Sequence, residues 1–395
     1  MKLILQCVYC DQNQFASGRG SIEHVILSSL GGKKSSRNIC CEACNNFLGI
    51  EIDARLAKQF HFFCTMMGVK TGRGKDAPTL TGMLTAGSES FDLLSGGASR
   101  LSASKVEIEE GENSFTISVT AKNEDAALYF MRQRLKSFGK DIPDLPSPSA
   151  TSVTSFPEPI KHSLTIDQEE YRSIAKMGLT YAATLIAPER LRSEQFAQVR
   201  LFIKGDNLSN EFVRIEPVDV LPASPTINDL NHRIFFYASE EKKAAVALLQ
   251  IFGYFTFSIV LSDSWTGSSI AKAHVIDPVT HERCDMDLPP ANAIFEQIRK
   301  QSDQEEINSI NWAISSILAI ITQRQRDAYI SQMVANSFDF KEGEADRFLS
   351  EEELQAGLEK LSLFAARFIT RSSFEESIDL ISYLNLPADQ DKDQT

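Results

Sequence analysis

Apolar positions recur along the 395 residues with different periods in different regions, and each period predicts a different kind of element. Between Phe47 and Phe63 they follow helical spacing (Phe47, Ile50, Ala54, Ala57, Phe60), which predicts an amphipathic helix with that face buried. From Leu80 to Thr120 short alternating runs dominate: LTGML, SFDLL, KVEIEE and SFTISVTA. Two of these, Lys105–Glu109 and Ser114–Ala121, meet across EGEN as a β-hairpin. Helical patterns return at Glu124–Phe138 and Asp167–Ile186, followed by strand-like runs at Val199–Ile203, Phe212–Ile215, Arg233–Tyr237 and Tyr254–Leu261. The last hundred residues read as helices over Ala291–Gln301, Gln304–Ser337 and Glu351–Arg371, with a short one near Phe374–Leu384 before a polar tail.

Two breaks interrupt this pattern. Gly68 to Pro78 is rich in Gly, Lys and Thr and reads as a linker or loop, and DIPDLPSPSATSVTSFPEP reads as an exposed connection. The predicted units are therefore 1–67, a small β-rich/α region at 79–145, a mixed α/β domain at 160–290 and a helical region at 291–388. Ala244 to Leu261 runs eighteen residues without a charge, near the lower limit for a membrane span. Gln250, Gly253, Thr256 and Ser258 interrupt it, and its second half is aromatic and β-branched. A buried helix or strand, a turn near Gly253 and a buried strand fit better than a span. The N-terminus MKLILQC is too short for a signal-peptide core, so a cytoplasmic location is expected.

Charge and cysteine content sharpen the N-terminal unit. The chain carries a net −13, yet residues 1–75 hold ten Lys/Arg against five Asp/Glu. A local +5 on an otherwise acidic chain suits a phosphate-contacting surface, because polyanion binding follows local charge. Five of the seven cysteines fall between Cys7 and Cys44, with Cys64 and Cys284 apart. Cys7/Cys10 and Cys41/Cys44 are two C-x2-C pairs separated by thirty residues. Each pair sets two thiolates in one tight turn, and two such turns close a tetrahedral Zn²⁺ site. Cys40 competes with Cys41, but only Cys41 keeps the two-residue spacing to Cys44.

Between the pairs lies SIEHVILSSLGG, with Glu23-His24 in a β-like context; RNICCEACNNFLG then sets Asn38 before the second pair and Asn45-Asn46 after it. In this order the elements resemble the HNH endonuclease family, a ββα-metal fold, and within it a four-cysteine subgroup, over about residues 4–57. The resemblance implies that His24 is the general base and that Glu23 contributes a carboxylate to a catalytic divalent ion, Mg²⁺ or Mn²⁺. It implies further that Asn38 braces the loop carrying the base, and that Asn45, or else Asn46, completes the ion's ligands. The four cysteines would be a structural Zn²⁺ site. A neutral imidazole suits activation of water at neutral pH, and a hard divalent ion suits a phosphodiester. Asp53 follows Asn46 by seven residues, hence on the same helical face, where a salt bridge is the simpler role. Lys33, Lys34 and Arg37 are the candidate phosphate contacts.

The expectation is an α+β chain: an N-terminal HNH module with a four-cysteine zinc site, a mixed α/β region, and a helical C-terminal region. No P-loop, dinucleotide turn or G-x-S-x-G appears elsewhere. The expected activity is metal-dependent cleavage of nucleic acid, DNA first, with restriction or anti-phage defence as the analogous setting. The C-terminal region would then select the target, sense a small-molecule or protein activator, or form a homo-oligomer. The competing reading is a non-catalytic zinc module that binds nucleic acid or protein.

Overall fold

Two short antiparallel ribbons open the chain in the computed structural model. Strand β1 (Ile4–Gln6) pairs with β2 (Gln14–Ala16), and β3 (Glu23–His24) pairs with β4 (Ser35–Ser36). The structure describes residues 4–10, 14–86, 89–110, 115–121, 124–139, 163–207, 210–217, 230–290, 292–298, 303–338 and 349–372. The Pro/Ser-rich connection at 141–159 and the short helix expected near Phe374–Leu384 lie outside these residues.

A continuous helical rod follows the ribbons: α1 (Glu42–Leu48), a π-turn over Gly49–Asp53, and α2 (Ala54–Met67). Its buried side is not the face that α-helical spacing predicts. Phe47 and Ile50 are 51% and 71% exposed, whereas Leu48, Ile52, Leu56 and Phe60 are at most 1% exposed. The buried set advances four residues at a time. A straight α-helix drifts off such a stripe, while the wider π-turn takes up an extra residue and brings the stripe back to one side. Burying Leu56 and Phe60 completely contributes on the order of 2 kcal/mol each.

The β-rich region contains a three-stranded antiparallel sheet of β5 (Leu80–Ala86), β6 (Glu89–Leu93) and β7 (Ser99–Leu101). The expected hairpin follows as β8 (Lys105–Glu110) and β9 (Phe115–Thr120), then α3 (Glu124–Ser137).

The largest sheet is all antiparallel. It comprises β10 (Val213–Glu216), β11 (His232–Ser239), β12 (Ala244–Ile251), β13 (Phe255–Ser262), β14 (Ile270–Ile276) and β15 (Arg283–Asp287), in the order β10-β13-β12-β11-β14-β15. The uncharged run Ala244–Leu261 is thus a central hairpin turning at Phe252 and Gly253, and no described helix is long and apolar enough to cross a membrane. Register fixes the faces. Phe235, Leu248 and Ala273 share one face, with Ile294 of α7 (Ile294–Gln297) packed on it. The other face carries Ala247, Phe255 and Ile259 and receives two helices. One is α4 (Gln168–Ala183), capped by Asp167 in a capping box, with Gly178 against Ile259 and Ala247. The other is α2, whose Phe60 and Phe63 rings lie 5.1 and 5.9 Å from Phe255. The N-terminal segment therefore shares its core with the sheet.

One predicted strand is a helix. Residues 199–203 lie within α6 (Ala197–Lys204), which follows α5 (Pro188–Leu191). Val199, Phe202 and Ile203 are buried while Leu201 and Lys204 face solvent, a helical division that the β-branched residues hide. Gly205, at φ +90°, ends α6 in the left-handed conformation that glycine adopts without penalty. Strands β14 and β15 carry no clear strand pattern in the sequence, because Lys272, His274 and the acids of RCDMD break up their apolar content.

The chain divides into two compact units, Met1–Leu318 and Ala319–Thr395, with the division falling inside α8 (Asp303–Phe338). In the first unit Ala313 and Ile317 of α8 are buried and the Trp312 ring lies 5.4 Å from Tyr254. The second unit contains α9 (Glu351–Ser372).

Candidate functional site

The four cysteines converge through local turns. Cys7 directly follows β1, and Cys41 is the N-cap of α1, its sulfur accepting the Cys44 amide at 3.4 Å. The Cys7 sulfur accepts the Cys41 amide at 3.4 Å. All four sulfurs lie within 4.8 Å of one another, and those of Cys10 and Cys41 are 3.9 Å apart. A tetrahedral ion with bonds of about 2.3 Å requires sulfurs about 3.8 Å apart, so this donor set fits zinc. A bond from Cys44 and the amides of Cys41, Tyr9 and Cys10 outweigh burial and bring the Cys7 thiol down to about 5, which favours the ligand form. Cys40 stands outside the cluster and donates to Glu23 Oε2 at 3.5 Å.

Glu23 and His24 form the whole of β3, so they project to opposite sides. Glu23 points inward and is 2% exposed. Its Oε1 accepts from Lys176 of α4, itself 2% exposed, and its Oε2 from Cys40. Lys176 also donates to Asp53 Oδ2 at 2.7 Å, and Ser173 to Asp53 Oδ1 at 2.8 Å. Burial is the largest influence on Lys176 and opposes its charge, but Asp53 and Glu23 together prevail and hold it protonated. With both oxygens engaged and closed to solvent, Glu23 is not placed to receive a catalytic ion.

His24 faces the other way and is half-buried, with Nδ1 beneath the surface and no partner in hydrogen-bond geometry. Burial first, then the charge of Arg73, lowers its pKa below the ordinary value, against a favourable contribution from the Gly32 backbone. The imidazole is therefore neutral at neutral pH. Arg73 also lines a neighbouring groove of about 840 Å³ together with Arg19, Arg37, Asn45 and Asn46. It arrives on the loop after α2, in the stretch that reads as a linker. That loop packs tightly: the Gly72 amide donates to Ser28 at 2.7 Å, and a Cβ on Gly72 would lie 2.1 Å from the Gly32 carbonyl oxygen.

The remaining expected residues separate. Asn45 donates its amide to Ser21 Oγ at 2.7 Å and to the Ile22 carbonyl at 3.5 Å, fastening the chain just before Glu23. Asn46 is exposed beside it on the groove. Asn38 accepts from the Gly18 amide at 2.7 Å and braces the turn after β2. Of the basic candidates, Arg37 lines the groove and Lys33 is half-buried with its charge bearing on His24. Lys34 is bound to Asp285 at 2.8 Å. Sequence reading passed over Arg19, Arg73 and Lys176. The only local sign of Lys176 is a lone lysine among the apolar residues of SIAKMGL.

Residues 7–61 match the family profile described as HNH endonuclease. No curated protein and no solved structure matches the chain.

Proposed function

We propose that this chain, whose residues 7–61 match the HNH endonuclease family, hydrolyses phosphodiester bonds of nucleic acid, DNA first, with His24 as the general base. The observation that carries the reading is a neutral, half-buried imidazole whose neighbour Arg73 lines a groove with two further arginines. A phosphodiester brings one negative charge to the site and gains more as water attacks. Arg19, Arg37 and Arg73 would bind the backbone phosphates and offset that charge. His24 takes the proton of the attacking water as its oxygen bonds to phosphorus. The bond from phosphorus to the leaving 3′-oxygen breaks, and that oxygen takes a proton from solvent.

Cys7, Cys10, Cys41 and Cys44 would hold Zn²⁺ as a staple, since a closed four-thiolate site leaves no position for water and contributes folding free energy. Mg²⁺ or Mn²⁺ would bring Lewis acidity to the phosphate oxygens. Glu23 is engaged by Lys176 and Cys40 and Asn45 is tied to Ser21, so of the expected ligands Asn46, exposed on the groove, is the one left open to such an ion.

Nicking of supercoiled plasmid, with an RNA substrate alongside, tests the proposal. The zinc-loaded chain should cleave in Mg²⁺ or Mn²⁺, and His24→Ala should lose about 10²–10⁴-fold, the usual contribution of a general base. Cys7→Ser should lose zinc. If the wild-type chain cleaves neither substrate under any divalent ion, the non-catalytic zinc module takes the place of this reading.

A further inference from the structure

The residue beside the proposed base is held from outside the matched segment. Helix α4 presents Ser173, Lys176 and Thr180 at spacings of three and four, hence on one face. Each reaches the N-terminal segment. Ser173 binds Asp53 at 2.8 Å, Lys176 binds Asp53 at 2.7 Å and also Glu23, and Thr180 Oγ1 lies 2.8 Å from the Tyr9 hydroxyl. Ser173, Lys176, Thr180, Glu23 and Tyr9 are all at most 2% exposed. Burying a cation between two carboxylates carries a large desolvation cost, and apolar packing of the same volume is often as stable. Stability alone therefore does not account for the triad. Geometry does. Strand β3 has two residues; backbone bonds from Ser21 to Cys40 (3.0 Å) and from Val25 to Lys34 (2.9 Å) tie its ends to neighbouring loops, and the Lys176–Glu23 bond ties its inner side to α4.

We propose that Lys176 is a positioning residue of the nuclease site: by fixing the Glu23 carboxylate it fixes β3, and with it the direction in which His24 leaves the opposite side. The proposal rests on the nuclease reading above for its catalytic consequence. Glu23 then acts as an anchor facing α4 and is not a ligand of any ion on the His24 side.

The test uses the full-length, zinc-loaded chain. Lys176→Met leaves the buried Glu23 and the half-buried Asp53 without their cation and can unfold, so the decisive variant neutralises the whole triad: Glu23→Gln, Asp53→Asn and Lys176→Met together. Three quantities are read: plasmid-cleavage kcat and KM, the divalent-ion concentration at half-maximal rate for Glu23→Gln alone, and the ¹H–¹⁵N imidazole shifts of His24. The triple variant should keep zinc and a KM within about twofold, because the groove arginines are untouched, while kcat falls at least tenfold and the His24 shifts move. Glu23→Gln should leave the ion dependence unchanged. Thr180→Val, which removes a bond of the same face without touching β3, should leave kcat and the shifts unchanged. Full kcat with unmoved His24 shifts in the folded triple variant overturns the proposal. So does a raised ion requirement in Glu23→Gln, which would make Glu23 a ligand. If the wild type cleaves nothing, the nuclease reading falls separately, and the His24 shifts still decide whether Lys176 orients that side chain.

Discussion

His24 and Glu23 are neighbours with opposite surroundings, and the role proposed for His24 as a base depends on that separation. Burial and the nearby Arg73 charge both disfavour imidazolium. A base works only when neutral, and a lowered pKa keeps His24 neutral to a more acidic pH than an exposed histidine. The acid limb of kcat/KM should therefore have its midpoint below about 6.5, the ordinary histidine value. Arg73→Ala should move that midpoint upward while weakening binding of the nucleic acid. A pH–rate profile of both forms checks this, and a wild-type midpoint at or above 6.5 would contradict the assignment of His24 as base. The pair Glu23-His24 is legible in the sequence; the sides to which the two residues face are set by the pleat, and their partners by packing.

At the scale of elements, the loop between α2 and β5 decides whether Arg73 reaches the site. Its Gly72 lies so close to Gly32 that no side chain fits without movement of backbone. Gly72→Ala should displace the loop, destabilise the chain by roughly 1–3 kcal/mol as overpacking does, and reduce cleavage through the displaced Arg73. Urea unfolding and plasmid nicking measure the two effects, and no change in either would show that the loop tolerates the added carbon. Composition makes this stretch read as a linker, since Gly, Lys and Thr also compose flexible connections. Its close packing depends on a partner forty residues upstream, which local pattern does not reveal. The π-turn at Gly49–Asp53 hides the buried face of the rod for a related reason. Helical periodicity assumes a constant turn, and one widened turn changes which residues share a side.

Across the first unit, the N-terminal segment and the sheet are joined by His232. Its Nδ1 accepts the Phe252 amide at 2.9 Å, so Nε2 carries the proton and donates to the Leu30 carbonyl at 2.8 Å. Complete burial lowers its pKa to about 4. The unfolded chain, with a pKa near 6.5, binds the proton more readily, so stability from this group is fully present above about pH 6.5 and is lost as pH falls towards 4. The difference amounts to about 3 kcal/mol. Urea midpoints from pH 7 to 4.5 should fall for the wild type and fall less for His232→Gln, which has a donor and an acceptor but cannot take the proton. Equal slopes would remove His232 from the acid sensitivity.

The cysteine pairs, the Glu-His dipeptide and the asparagines after the second pair were determined by the sequence alone, because chelate spacing and strand alternation are short-range properties. The hairpin at β8–β9 and helices α3, α4, α8 and α9 were legible for the same reason. Tertiary structure decided the rest. It brought Lys176, 153 residues away, against Glu23, withdrew that carboxylate from the side of His24, and turned Lys34 towards Asp285. It also carried Arg73 to the margin of the site. A buried charge must find a partner wherever packing places one, and packing of α4 on the sheet is a property of the whole core rather than of any local pattern.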